Sequence, residues 1–402
     1  MAQSAPVPAA SSAAPPPPLP ANPNDPYAPL GVPLGGFLLF PDVKLGETYD
    51  SNIFRRNTGE VSDFITTIEP ELALKSNWNN HALNFYGAGK LGYYASHDTE
   101  NYNDYTFGTD GRLDILRDST LDGSLQYTKG HEDRGSPDSP TNAKEPADTT
   151  TMAAKAAFNQ QFNRFKLTPS IGWTNYNYDD VTAINGANIN NDDRDNTLMQ
   201  YGMRGSYNVM PSFDVFAEGI YNTIDYDAAR DDNGFNRDSS GWEARTGVSM
   251  LLTNLITGDF YVGYLSQNMD DARFKDINGV SFGSSLKWEI TRLTTLGLNA
   301  ARTVQQTTAG NASGVLQSAI EATVHHELLR NLLLDGALQY TDDDYQGINR
   351  TDTIYEASAG ATYKLNRWAG VGASYKFARR DSDVTGADYD DHQMMLNLLL
   401  QY

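Results

Sequence analysis

From Phe37 to the end of the chain, apolar and polar residues alternate instead of clustering. Leu83, Phe85, Gly87, Gly89, Leu91 and Tyr93 occupy every second position, as do Phe165, Leu167, Pro169, Ile171 and Trp173. The spacing returns at Leu121, Gly123, Leu125 and Tyr127, at Phe282 to Ile290, and at Leu332 to Tyr340. Successive side chains of an extended strand point to opposite faces, so a period of two predicts strands with one apolar face. The connections alternate in length. One set is short, at Asn79-Asn80, Arg117-Asp118, 208–211, 252–254, Thr291-Arg292 and 365–367. The other is longer and polar, at 129–149, 178–196, 225–239 and 379–391. Short turns on one rim and long loops on the other are the asymmetry of a bacterial membrane barrel, with the short turns periplasmic. The expected fold is all-β: a single transmembrane antiparallel up-and-down β-barrel over residues 36–402, of about 18 strands within a range of 16–18. An even number places both chain ends in the periplasm.

The segment His392–Tyr402 carries the pattern to the last residue. Met394, Leu396, Leu398, Leu400 and Tyr402 share one face, and Met395, Asn397, Leu399 and Gln401 the other. A tilted strand of about 9–11 residues spans a bilayer core. The lipid face of such a strand needs an apolar band closed by an interfacial aromatic. The segment resembles the C-terminal signal strand of bacterial outer-membrane proteins, which the barrel-assembly machinery recognises. Leu396, Leu398, Leu400 and Tyr402 are therefore the expected membrane-assembly residues. The competing reading is an amphipathic edge strand of a soluble sandwich. A propeller would repeat every 40–45 residues or so with its own signature, and none is visible.

If the apolar register faces lipid, the other faces the lumen. It contains Asp42, Lys44, Gly46 and Thr48 in the first strand and Thr67, Glu69 and Glu71 in the second. Lys90 follows in the third strand, then Asp110 and Arg112 in the fourth; Arg204, Glu218, Glu243, Arg245, Lys287 and Glu289 come later. Unpaired charges at this density are too costly for an apolar core, whereas a water-filled channel tolerates them. A barrel of about 16–18 strands is wide enough to hold one. Both signs occur in similar numbers, so no strong ion selectivity is expected from a ring of one sign. Inward aromatics such as Tyr86, Tyr94, Tyr176, Phe216 and Tyr261 either stack on sugar rings or fill the interior.

Composition narrows the compartment. The chain has 402 residues, no cysteine and a net charge of −21, with 34 glycines, 23 tyrosines and 16 phenylalanines. No apolar run reaches the roughly 18 residues of a membrane helix, which says nothing against a barrel. The acidic balance argues against nucleic acid as a partner. Most of the negative excess falls in the long loops, where it suits a surface covered by lipopolysaccharide. Asp179-Asp180, Asp192-Asp193, Asp270-Asp271 and the run 342–344 offer oxygens but not the spacing of a calcium loop, so solvated charge is expected and no metal or cofactor. Catalysis is not expected. Among six histidines, His131 and His392 adjoin Glu132 and Asp391, but no Gly-x-Ser-x-Gly elbow occurs.

Residues 1–35 are rich in Ala, Pro and Ser, including Pro15–Pro18, and predict a disordered periplasmic tail. Met1 followed by Ala2-Gln3-Ser4 reads as a mature N-terminus from which a signal peptide has been removed.

The run Tyr49-Asp50-Ser51-Asn52-Ile53-Phe54-Arg55 resembles the opening signature of a bacterial outer-membrane β-barrel family catalogued as a putative β-barrel porin of the second type. Residues 66–75, with Pro70 at their centre, resemble its next strand. The resemblance implies an integral outer-membrane barrel and, from the association of many members, a link to exopolysaccharide export. The expected function is an outer-membrane channel with a hydrophilic lumen passing polar solutes, with an exopolysaccharide exit pore as the narrower version. Its partners would be outer-membrane lipid, lipopolysaccharide and the barrel-assembly machinery, with periplasmic export components or polysaccharide added in the narrower version. The alternative is a structural or adhesive barrel with a closed lumen that binds a partner through acidic loops.

Overall fold

The computed structural model describes residues 26–252 and 255–402. Eighteen long strands form the wall. They are β1 Phe37–Asp50, β2 Asp63–Ser76, β3 Ala82–Tyr94, β4 Tyr102–Leu116, β5 Ser119–His131 and β6 Asp148–Phe162. Next come β7 Phe165–Tyr178, β8 Asn196–Met210, β9 Phe213–Tyr226, β10 Ser239–Leu252, β11 Ile256–Met269 and β12 Ile277–Thr291. The circuit ends with β13 Thr294–Gln305, β14 Gly314–Leu329, β15 Leu332–Gln346, β16 Thr351–Lys364, β17 Ala369–Ser382 and β18 Tyr389–Gln401. Each strand pairs antiparallel with the next in sequence, and β18 returns to β1 from Asp42 opposite Gln401 to Asp50 opposite Gln393. The sheet thus closes on itself and leaves no long edge, which a membrane-spanning sheet requires.

The period of two sets the two faces. Leu125, Leu338 and Leu396 are 58 %, 65 % and 67 % exposed on the outer surface, where a soluble protein would not strand them. Tyr93, Tyr105, Phe107, Tyr201, Trp242 and Tyr264 join them. Leu398, Leu400 and Tyr402 lie on the same outer face as Leu396. The short turns need tight backbone, and His81, Asn163 and Ser212 adopt left-handed conformations in them. At His81 two bonds brace this geometry: its N–H donates to the Asp114 carboxylate at 3.0 Å, and its Nδ1 accepts from the Asp114 N–H at 3.0 Å.

Among the described residues no buried cluster forms a central dry core. The buried apolar clusters are small and lie towards the long-loop end. One joins Leu265, Ile277 and Leu316; a second joins Ala312, Val315 and Tyr345; a third joins Ala143, Ala147 and Val181.

The N-terminal segment departs from the expected tail. Residues 1–25 lie outside the described residues, but Val32–Leu34 form a short strand where disorder was expected. This strand pairs antiparallel with Phe37–Leu39 on β1. The reason is strand stagger. Pairing of β1 with β18 begins only at Asp42, so Phe37–Leu39 would otherwise offer an open edge. Pro33 is tolerated because proline suits an edge strand.

Candidate functional site

The charged side chains expected in the lumen alternate along their strands with the exposed apolar residues, and most have a partner of opposite sign. The Lys44 ammonium lies 2.5 Å from Glu69, and Glu71 sits opposite Asp42 in the ladder. Lys90 lies over the Tyr102 ring, 5.2 Å from its centroid. Asp110 accepts from Asn84 Nδ2 at 2.8 Å, and Arg112 pairs with Asp114 at 2.8 Å. Further round, Arg204 stacks on Phe216 and pairs with Asp259 at 3.0 Å. Arg245 lies over Tyr261 and reaches Glu218 at 3.0 Å and Glu243 at 3.7 Å. Lys287 pairs with Glu289 at 2.9 Å and Lys376 with Glu356 at 2.5 Å.

These strands enclose a cavity of about 1210 Å³. Lys44, Arg204, Glu218, Arg245 and Lys287 line it, together with Ser284, Ser285, Ser358 and Ser374. Glu69, Glu71, Lys90, Asp110, Arg112, Glu243 and Glu289 are not on its lining. Phe216, Tyr261 and Met395 share the lining, so ion pairs and hydroxyls alternate there with apolar side chains.

The long loops, whose charge the sequence suggests is solvated, are knit together by ion pairs and backbone bonds. Loop 132–147, between β5 and β6, folds across the bore. At its root Glu132 receives two bonds from Arg194, at 2.6 and 3.0 Å, and Arg134 donates two to Glu100, at 2.6 and 2.8 Å. Further along, the Gly135 carbonyl accepts from Arg380 at 2.9 Å. Asp138 accepts from the Thr307 hydroxyl at 2.7 Å and the Thr308 N–H at 3.4 Å, on loop 306–313 across the barrel. Loop 179–195 braces the returning segment, where the Lys144 N–H donates to Thr182 and Ala143 bridges to Ala183.

Arginines hold the surrounding loops together. Buried Arg237 donates to Asp231 at 2.7 Å and to the carbonyls of Thr307, Thr308, Gly310 and Ala312, between 2.7 and 3.3 Å. Arg55 is within reach of Asp50, Asp133 and Asp391, at 3.4, 3.7 and 2.7 Å. Burial alone would lower the Arg55 pKa, but the carboxylates of Asp133, Asp50 and Asp391 outweigh it and hold the guanidinium firmly charged. Burial would likewise raise the Asp133 carboxyl, yet Arg55 and the Gly135 N–H keep it below its ordinary value. At Asp195 burial prevails, and with Asp192, Asp227 and Asp179 nearby it pushes the carboxyl up to about 6 despite a bond from the Tyr178 N–H.

Sequence reasoning missed these loop residues, because acidic and basic loop positions without fixed spacing read as solvated charge. The available signal was the loop arginines themselves: Arg134, Arg194 and Arg237 each adjoin or closely follow an acidic residue within a predominantly acidic loop. The neighbouring His and carboxylate residues noted in the sequence do not form pairs. Glu132 is engaged by Arg194, while His131 bonds to Asp104 at 2.9 Å and stacks on Tyr102. Asp391 faces inward to Arg55, and His392 bonds to the Tyr375 hydroxyl. Among the described residues, no group of three or more His, Asp or Glu side chains is arranged to hold a metal.

A closed eighteen-strand wall, apolar outside and charged within, defines a transmembrane barrel of porin type. The sequence matches the family described as Putative beta-barrel porin 2 over residues 25–402, and the chain belongs to that family. It is an outer-membrane barrel. No curated protein matches it. Among solved structures, it is similar to OccK3 (OpdO) of Pseudomonas aeruginosa, at 14 % identity and a TM-score of 0.44, covering 90 % of this chain and 96 % of that one. It is also similar to OpdK of that organism with vanillate, at 10 % identity and a TM-score of 0.46, covering 90 % and 99 %. A mutant ferric enterobactin receptor of Pseudomonas aeruginosa gives 8 % identity and a TM-score of 0.46, covering 90 % and 81 %.

Proposed function

We propose that this barrel is a passive channel for small polar solutes, narrowed at its long-loop end by loop 132–147. The observation that carries the reading is the cavity of about 1210 Å³, lined by paired charges, hydroxyls and apolar side chains together, with loop 132–147 pinned to loop 306–313 at the long-loop end of the barrel. A polar wall lowers the cost of moving a hydrated solute through the bilayer, and a loop in the bore limits its size. In this reading the short turns and both chain ends face the periplasm and the long loops face outward. Leu396, Leu398, Leu400 and Tyr402 present the closing strand to lipid and to the assembly machinery. The narrower expectation of an exopolysaccharide exit gains no support from a loop lying across the path of a polymer.

Conductance of the purified barrel in planar bilayers tests the proposal. The wild-type protein should give discrete steps, and replacing residues 136–140 by two glycines should enlarge them. Silent membranes with both proteins would refute the channel and favour a structural or adhesive barrel.

A further inference from the structure

The chain joins the wall at its short-turn end, and it does so from inside. Val32–Leu34 run beside β1 as an edge strand, but they cannot continue, because the Tyr402 N–H already takes the Pro41 carbonyl. Gly31 turns the chain with a φ of +73°, a conformation open to glycine, and lies so close to the Phe40 ring that a Cβ would meet it at 2.7 Å. Four residues earlier the Tyr27 carbonyl accepts from Gln401 Nε2 at 3.4 Å. Phe40 shares the register of Lys44, and Gln401 that of Leu399; Lys44 and Leu399 line the cavity. The start of the described chain therefore lies on the cavity side of the closing seam.

From there a track leads up the bore. Leu399, Asn397, Met395 and Gln393 of β18 all line the cavity, whereas Met394, Leu396 and Leu398 do not. The register from Gln393 to Gln401 carries no charge, unlike β1 with Asp42 and Lys44 or β2 with Glu69 and Glu71. Residues 1–26 match it in character, with nine prolines and Asp25 as the one charged side chain. A proline-rich chain is extended in advance, and its carbonyls have no internal partner. About a dozen such residues reach roughly 37 Å, close to the height of a wall whose tilted strands run to 14 residues.

We propose that segment 1–26 is the occupant of this track: it enters the bore at the short-turn end, lies along the inner face of β18 and partly fills the cavity. Asn397 and Gln393 donate to its carbonyls, and Met395 and Leu399 pack on its proline rings. A segment almost without charge costs little to bring out of water. The seating stands on geometry alone. Its consequence, a channel held partly shut by its own N-terminal segment, rests on the channel reading above.

Disulfide trapping in the full-length chain, which has no cysteine of its own, tests the seating. Asn22 precedes Tyr27 by about 15 Å of extended chain, and Asn397 precedes Gln401 by about 13 Å of strand, so the two come together if the segment follows the track. The double variant Asn22→Cys, Asn397→Cys should form an intrachain disulfide on mild oxidation, read as a mobility shift of the denatured chain that reductant abolishes. Asn22→Cys with Leu398→Cys, on the lipid face, should not. Heat-modifiable mobility shows that each variant has folded. A folded first pair that stays unlinked, or equal linking in both pairs, would overturn the seating. Conductance then reads the obstruction. Changing each of Pro15–Pro18 to Asp keeps the length but loads the segment with charge, and should give larger steps than the linked barrel; equal steps would overturn the obstruction. Barrels silent in every variant would remove the channel reading, while trapping still decides where the segment lies.

Discussion

A guanidinium carries five N–H donors in a fixed planar fork, and Arg237 uses them on one carboxylate and four backbone carbonyls. It is 3 % exposed, and it is the cation paired with buried Asp231, which otherwise accepts only from the Asn233 and Phe235 N–H groups. Replacing Arg237 by leucine would strand Asp231 as a buried lone charge and release loop 306–313. The expected cost is about 3–5 kcal/mol, the usual result of removing one partner of a buried pair. Arg237→Lys should recover little, because an ammonium cannot reach five acceptors at once. Denaturant unfolding and limited proteolysis between residues 306 and 313 would measure both effects, and wild-type resistance in the leucine variant would contradict this role. None of this was legible in the sequence, where Arg237 lies between Asn236 and Asp238 in a polar loop without periodicity. Its importance comes from acceptors some 70 residues further along the chain.

Strands were far easier to read than loops. In a strand the side-chain period is imposed by backbone geometry, so Leu121, Leu125, Leu286 and Trp288 announce an outer face regardless of what packs beside them. Register follows: Ser124 and Ser285 occupy the positions alternate to Leu125 and Leu286 in the ladder. Arginine at Leu125 or Leu286 should therefore cost about 2–4 kcal/mol near mid-membrane. Arginine at Ser124 or Ser285 should cost much less, because it remains hydrated. Equal losses at both registers, measured by unfolding in lipid, would mean that the faces are reversed. The same logic placed Lys44, Glu69, Arg204 and Arg245 on the inner face, but not their partners. Arg204 finds Asp259 three strands further round, a contact fixed by strand stagger and invisible to alternation.

Closure of the whole barrel depends on one seam. At one end of it the Tyr402 N–H donates to the Pro41 carbonyl at 3.1 Å, and Val32–Leu34 continue the edge that β18 leaves open beside Phe37–Leu39. Tyr402→Asp would put a charge where an exposed aromatic ring meets the interface, and should reduce outer-membrane yield and heat-modifiable mobility. Normal values in that variant would contradict the role of the closing strand. The short N-terminal hairpin was not legible, because its partner edge exists only once the stagger of the closed sheet is known.

The bonds across the mouth also dictate an order of events. The groups that pin loop 132–147, Thr307 and Arg380, lie 169 residues after Asp138 and 245 after Gly135. Contacts so distant in sequence form late, after the intervening chain has been placed. A half-built barrel therefore lacks the bonds across its mouth, whichever of its strands are placed first. Any assembly intermediate without both β5–β6 and β13–β17 would be open where the finished barrel is crossed.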